Sequence, residues 1–212
     1  MKVFDLNQID FSSAYDIQRG AVKDIISGED SRIIFAEHPH VFTTGRNFHD
    51  YDLLVTREIL KQFNITVCKA DRGGGITYHG PGQIVCYPII NLNRWKKDIR
   101  AYIRALENII IKVLGNMEID AHAKKELTGV WLRDKKIASV GIGVSRWVTY
   151  HGFALNVKPD LKYFSLINSC GLKDLVQTSI GKETEGFTAI EKIKGFLIEE
   201  IEKTFQASMV AC

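Results

Sequence analysis

"KKIASVGIGVSRWVTYHGFALNV", residues 135–157, settles the class of fold. Apolar residues alternate with small or polar ones on either side of Ser145, Arg146 and Trp147, the mark of two strands. The link between them is too short for anything but an antiparallel pair. Upstream, "GVWLRD" (129–134) adds a third run joined just as tightly. "RIIFAEH" (32–38) and "QIVCYPIINL" (83–92) also read as strands, with Pro88 suggesting an edge position or a bulge in the second. Shorter extended pieces fall in "HPHVFTTGRN" (38–47) and "ITVCKA" (65–70). Helical spacing marks 12–27, opened by serine caps and facing inward through Ala14, Ile17, Ala21, Val22, Ile25 and Ile26. Further helices are expected near 55–62, over 97–115 and over 189–205. The expected fold is α+β, a mixed and largely antiparallel sheet flanked by helices.

Length favours a single domain spanning 1–212. The net charge of +3 gives no ground for nucleic-acid binding, and no apolar run approaches the roughly 20 residues of a membrane span. "MKVFDLNQID" lacks the apolar core of a signal peptide, so the expected location is the cytoplasm. Cys68, Cys86, Cys170 and Cys212 have no CxxC spacing, which argues against zinc and against a disulfide framework. No metal is expected.

Five glycines and a proline surround Arg72, Thr77, Tyr78 and His79 in "RGGGITYHGPGQ" (72–83). The spacing is neither GxxxxGK[ST] nor GxGxxG, and the glycines run into a strand rather than a helix. Such a loop lets a narrow, extended group such as an acyl chain lie against bare backbone; a tight hairpin with inward aromatics is the plainer reading. Lys135 and Lys136 open an alternating strand and so point to opposite faces, one to solvent and one to a pocket, or both to water at the strand edge. Cys68 and Cys86 sit in apolar strands as small buried hydrophobes. Cys170 differs, because Asn168, Ser169 and Gly171 make a loop that can expose a thiol. A thiol of pKa about 8.5 needs activation to act at neutral pH. A lysine ammonium about 4 Å away contributes up to about 4 kcal/mol at an effective dielectric near 20.

Together, "EHPHVFTTGR", "RGGGITYHGPGQIVCYP", "KKIASVGIGV", "HGFALNV" and "INSCGL" closely resemble, in order and spacing, the lipoyl(octanoyl) transferases, also called the lipoate-protein ligase B family. The resemblance covers residues 30–180 or so. It implies the fold shared with biotin and lipoate ligases, which is class II aminoacyl-tRNA synthetase-like. It further implies an enzyme moving an octanoyl group from octanoyl-acyl carrier protein to a lysine of lipoyl domains, those of 2-oxoacid dehydrogenase E2 subunits and of glycine cleavage H protein. No cofactor is implied beyond the phosphopantetheine of the carrier. Carried over, Cys170 holds the acyl group as a thioester and Lys136 pairs with it. Arg72, Gly73, Gly74, Gly75, Ile76, Thr77, Tyr78 and His79 line the acyl channel with Ser139, Val140, Gly141, Gly152, Phe153 and Ala154, and backbone amides of the glycine segments hold the oxyanion. His79 and His151 are expected to orient that site, and Arg46, Arg72 and Arg146 to form a basic mouth that meets the acidic carrier. An octanoyl or lipoyl amidotransferase and an ATP-dependent lipoate or biotin ligase are the rival activities on this fold.

Overall fold

Asp10, rather than the serines behind it, starts helix α1 (Phe11–Ile26): its Oδ1 accepts the Ser13 amide at 2.9 Å, satisfying one of the donors that a helix start leaves bare. Phe11, Ala14, Ala21, Val22 and Ile25 face inward, while Ile17 is exposed and Gln18 takes a fully buried place. A polar residue there has a specific reason. Gln18 Oε1 accepts the His151 amide at 2.8 Å, a donor that would otherwise be buried without a partner.

The structure, a computed structural model, describes residues 1–169, 175–184 and 189–206. Its remaining elements are β1 (Lys2–Gln8), β2 (Arg32–Glu37), β3 (Val41–Thr44), α2 (Arg57–Gln62), β4 (Thr66–Lys69), β5 (Ile76–His79), β6 (Gln83–Ile89), α3 (Ile99–Gly115), β7 (His122–Ala123), β8 (Val130–Leu132), β9 (Lys135–Ser145), β10 (Val148–Asn156), α4 (Ile180–Glu183) and α5 (Ile190–Gln206). Among the described residues the strands form two sheets: seven in the order β1-β2-β6-β10-β9-β8-β7, and three in the order β4-β3-β5. Only β1–β2 and β3–β4 run parallel, so the architecture is the mixed, largely antiparallel α+β arrangement expected.

Alternation along the strands sorts the core. Ile33 and Phe35 of β2 and Ile84 and Cys86 of β6 pack with α3 and α5, whereas Ile34, Val85 and Tyr87 turn to the other face under α1. Phe42, Ile76 and Tyr78 of the small sheet make a separate cluster with Leu60, Tyr163 and Phe164.

Two departures from expectation shape the site. β6 is an interior strand despite Pro88, which pairs with Ile33 on one side. On the other side the β6–β10 ladder runs from Gln83↔Asn156 to Cys86↔Phe153, opens at Pro88, and closes again where the Thr149 amide donates to Ile90 O at 3.0 Å. Pro88 O accepts from Thr149 Oγ1 and Tyr102 Oη, so the N–H that proline lacks falls on the side where the ladder is open. The chain facing that gap is unusual: His151 has φ of 57°, and a Cβ added at Gly152 would lie 2.2 Å from Cys86 O and 2.7 Å from Pro88 Cδ.

The second departure is a bulge. Pairing of β8 with β9 shifts between Val130↔Ala138 and Trp131↔Lys136, leaving Ile137 as the extra residue. Ile137 and Ala138 both enter the α3–α5 core, so Lys136 comes to share the opposite face with Ser139 and Gly141. Strict alternation would have put Lys136 on the other side from them.

Candidate active site

The glycine loop joins the two sheets. Gly45, Arg46 and Asn47 amides donate to Gly75, Arg72 and Gly74 carbonyls at 3.0–3.1 Å, and the Gly73 amide donates to Ile142 O of β9 at 3.1 Å. Arg72 staples the loop from within. Its guanidinium donates to Gly73 O, Gly75 O, Thr43 O and Thr43 Oγ1 at 2.7–3.0 Å, and the side chain is buried. Arg72 is therefore no part of an exposed basic mouth. Arg146 lies in the β9–β10 turn, five residues beyond Gly141, roughly 17 Å along the strand. Of the three arginines, Arg46 is exposed beside the glycine loop.

On the α1 face a cavity of about 500 Å³, its open mouth included, lies between the sheets. Gly73 and Gly74 form its exposed rim; Ser139, Val140, Gly141, His151, Gly152, Phe153 and Ala154 come from β9 and β10, and Thr77 and His79 from β5. Ile76 and Tyr78 alternate away from it. Ile76 is core of the small sheet, and Tyr78 Oη meets His40 Nδ1 at 2.8 Å. Gly75 contributes a carbonyl to Arg72 and to the Gly45 amide rather than a cavity wall. Arg72 also lines it, as expected, and Phe11, Val85 and Tyr87, none of which sequence reasoning singled out, complete the lining. The walls are mainly apolar and narrow, suited to a flexible hydrocarbon.

The histidines gather at the closed end, about six residues of β9 from Lys136, or roughly 20 Å. His151 Nε2 donates to Asp71 Oδ1 at 2.9 Å, and Tyr150 Oη donates to Asp71 Oδ2 at 2.6 Å. Burial raises Asp71, but these hydrogen bonds outweigh it and lower the carboxyl. Burial brings His151 down to about 4 against the pull of Asp71, so at neutral pH the pair is a neutral imidazole donating to a carboxylate. Burial likewise holds His79 well below its ordinary value and lowers His38. His38 Nδ1 donates to Ile9 O at 2.7 Å, leaving Nε2 to accept from Tyr87 Oη at 2.6 Å.

Neutral buried histidines make the fold acid-sensitive. An unfolded His151 binds its proton near 6.5 and the folded one near 4, so between these values the unfolded chain holds more protons. Stability is fully present above about pH 6.5 and falls by about 3 kcal/mol from this group as pH drops to 4. Urea unfolding at pH 7 and pH 4.5 should show that loss, and His151→Gln should reduce its pH slope; an unchanged slope would remove His151 as its source.

Lys136 lines a second cavity of about 740 Å³, open to solvent, which shares Gly73, Gly74, Val140 and Gly141 with the first. The two cavities adjoin along these residues. Lys136 is 2 % exposed, with Nζ 5.3 Å from the centroid of the Trp131 ring. Gly129, at φ of 128°, makes room: an added Cβ would lie 2.5 Å from Lys136 Cε. The Gly129 amide is held by buried Glu107 Oε1 at 2.8 Å. Lys135 points the other way, half-buried, with Nζ 3.2 Å from Glu183. Cys170 lies outside the described residues. Before it, the Asn168 amide donates to Asp52 O at 2.7 Å; after it, the Lys136 amide donates to Val176 O and Thr178 donates to Lys136 O, both at 2.9 Å. Cys86 is buried, with burial raising its thiol well above the ordinary value, and Cys68 is half-buried.

The sequence profile of the lipoyl protein ligase A/B catalytic domain matches residues 10–208. An octanoyltransferase of Solibacter usitatus is 49% identical over 168 residues, covering 79% of this chain and 76% of that protein. Another, of Caldanaerobacter subterraneus subsp. tengcongensis, is 39% identical over 210 residues, covering 97% and 90%. Among solved structures, a lipoate-protein ligase A bound with ATP matches with a TM-score of 0.81 at 16% identity, over 97% of this chain and 85% of its own. The biotin protein ligase of Aquifex aeolicus in complex with biotin and ATP matches at 0.58 and 13%, over 97% and 70%. At such identities the likeness concerns the fold alone.

Proposed function

The chain belongs to the lipoyl protein ligase A/B catalytic domain family and is an octanoyltransferase of protein lipoylation, and from that premise we propose that it works through a thioester on Cys170 without ATP or any other cofactor. The donor is octanoyl-acyl carrier protein and the acceptor a lysine of lipoyl domains, those of 2-oxoacid dehydrogenase E2 subunits and of H protein.

In the first half, Cys170 Sγ as thiolate adds to the octanoyl carbonyl, and the tetrahedral oxyanion collapses by expelling the pantetheine thiolate, which takes a proton from the Lys136 ammonium. In the second, the acceptor amine adds to the new thioester, gives a proton to the now neutral Lys136 amine, and displaces Cys170 as thiolate. One thioester bond is exchanged for another and then for an amide, so no nucleotide is consumed. The Gly73 amide is already bonded to Ile142 O, so the oxyanion needs other donors.

The observation that carries this reading is the pair of adjoining cavities, one lined by buried Lys136 and the other mainly apolar. Five residues separate Cys170 from Val176, whose carbonyl holds the Lys136 amide, which supports the pairing. The test is transfer from octanoyl-acyl carrier protein to an apo lipoyl domain, with and without ATP. Octanoylated product in its absence is the expected outcome; product from octanoate only when ATP is added would replace this mechanism by that of a ligase.

A further inference from the structure

A saturated chain gains a similar increment for each methylene it buries, until a wall stops it. Chain length is therefore read where the cavity ends. Here the exposed rim is Gly73 and Gly74, with Ser139, Val140 and Gly141 half-buried beside it, whereas Val85, Tyr87, His79 and His151 at the other end are all buried.

Phe11, the first residue of α1 and 6 % exposed, belongs to this buried wall. Its ring is nearly parallel to those of His79 and His151, with centroids at 6.4 and 6.2 Å and planes within 7° and 6°. It meets His38 edge-on at 5.7 Å. The stack is fixed at its supports: Asp71 and Gln18 hold His151, Ile9 O and Tyr87 hold His38, and Asp10 fixes the turn of α1 that presents Phe11. A longer chain cannot swing this wall aside without breaking buried hydrogen bonds.

We propose that Phe11 is the chain-length stop of this transferase, the specificity-determining residue that sets how long an acyl chain the cavity takes; the proposal rests on the acyl-transfer reading above. Truncating the ring extends the cavity into the space beside the two imidazoles. Enlarging Val85, another residue of the buried wall, shortens it.

The test compares kcat/KM for hexanoyl-, octanoyl-, decanoyl- and dodecanoyl-acyl carrier protein with the wild type, Phe11→Ala, Phe11→Leu and Val85→Phe, each checked for folding by thermal melting. Phe11→Ala should raise the dodecanoyl-to-octanoyl ratio by at least about tenfold, Phe11→Leu should shift the optimum toward decanoyl, and Val85→Phe should move it to hexanoyl. If Phe11→Ala fails to fold, Phe11→Leu decides. Folded variants that transfer with the wild-type length profile would overturn the role of Phe11 while leaving the transferase reading intact. A wild type that transfers none of the four would instead overturn that reading.

Discussion

Cys170→Ser should lower octanoyl transfer by at least about 10³-fold, with the protein still folded and still binding its donor. Serine is nearly the same size, so what is lost is the ease of forming the anion. A thiol ionises near 8.5 and is brought further down by a neighbouring ammonium, whereas an alcohol stays protonated at any working pH. The thiols among the described residues are poor substitutes: Cys86 is buried, with burial raising its thiol, and Cys68 sits on β4 of the small sheet and lines neither cavity. Initial rates with octanoyl-acyl carrier protein and an apo lipoyl domain measure the effect. Residual turnover within about tenfold of wild type would end the covalent role of Cys170.

Lys136→Ala should cost about 10²- to 10³-fold in kcat with a smaller change in KM, because in the proposed mechanism its nitrogen gives a proton to the leaving thiolate and takes one from the attacking amine, and does not act on the acyl chain. The same change should slow alkylation of Cys170 by iodoacetamide at neutral pH and move the midpoint of that reaction toward the ordinary thiol value of about 8.5. Lys135→Ala provides the control, since its side chain leaves the other side of β9 to meet Glu183. Equal losses from the two lysines, or an unmoved alkylation profile in Lys136→Ala, would contradict the assignment.

Much of this arrangement was legible in the order of residues. The β9–β10 hairpin announced itself by alternation, α3 by its period, and the glycine loop by an abundance of glycine that an ordinary connection does not need. What escaped was decided by partners distant in sequence. Pro88 suggests an edge or a bulge, yet β6 is interior, because the ladder opens only opposite His151. The opposite facings of Lys135 and Lys136 follow from alternation, but the bulge at Ile137 that returns Lys136 to the face of Ser139 depends on β8. Gln18 breaks the apolar face of α1, and a polar residue at that spacing was the one available sign that a distant amide required it. Phe11 and Asp71 carry no local sign of their places: nothing in the neighbouring residues tells that the first lies against two histidines and the second orients one of them.

Mixing the protein with octanoyl-acyl carrier protein, without ATP or acceptor, and weighing the intact chain decides whether the acyl group is carried covalently. An octanoyl adduct that is absent in Cys170→Ser, released by hydroxylamine and discharged onto an apo lipoyl domain is the expected result. Transfer that proceeds at full rate while the chain never gains mass, or an adduct that persists in Cys170→Ser, would contradict a thioester on Cys170.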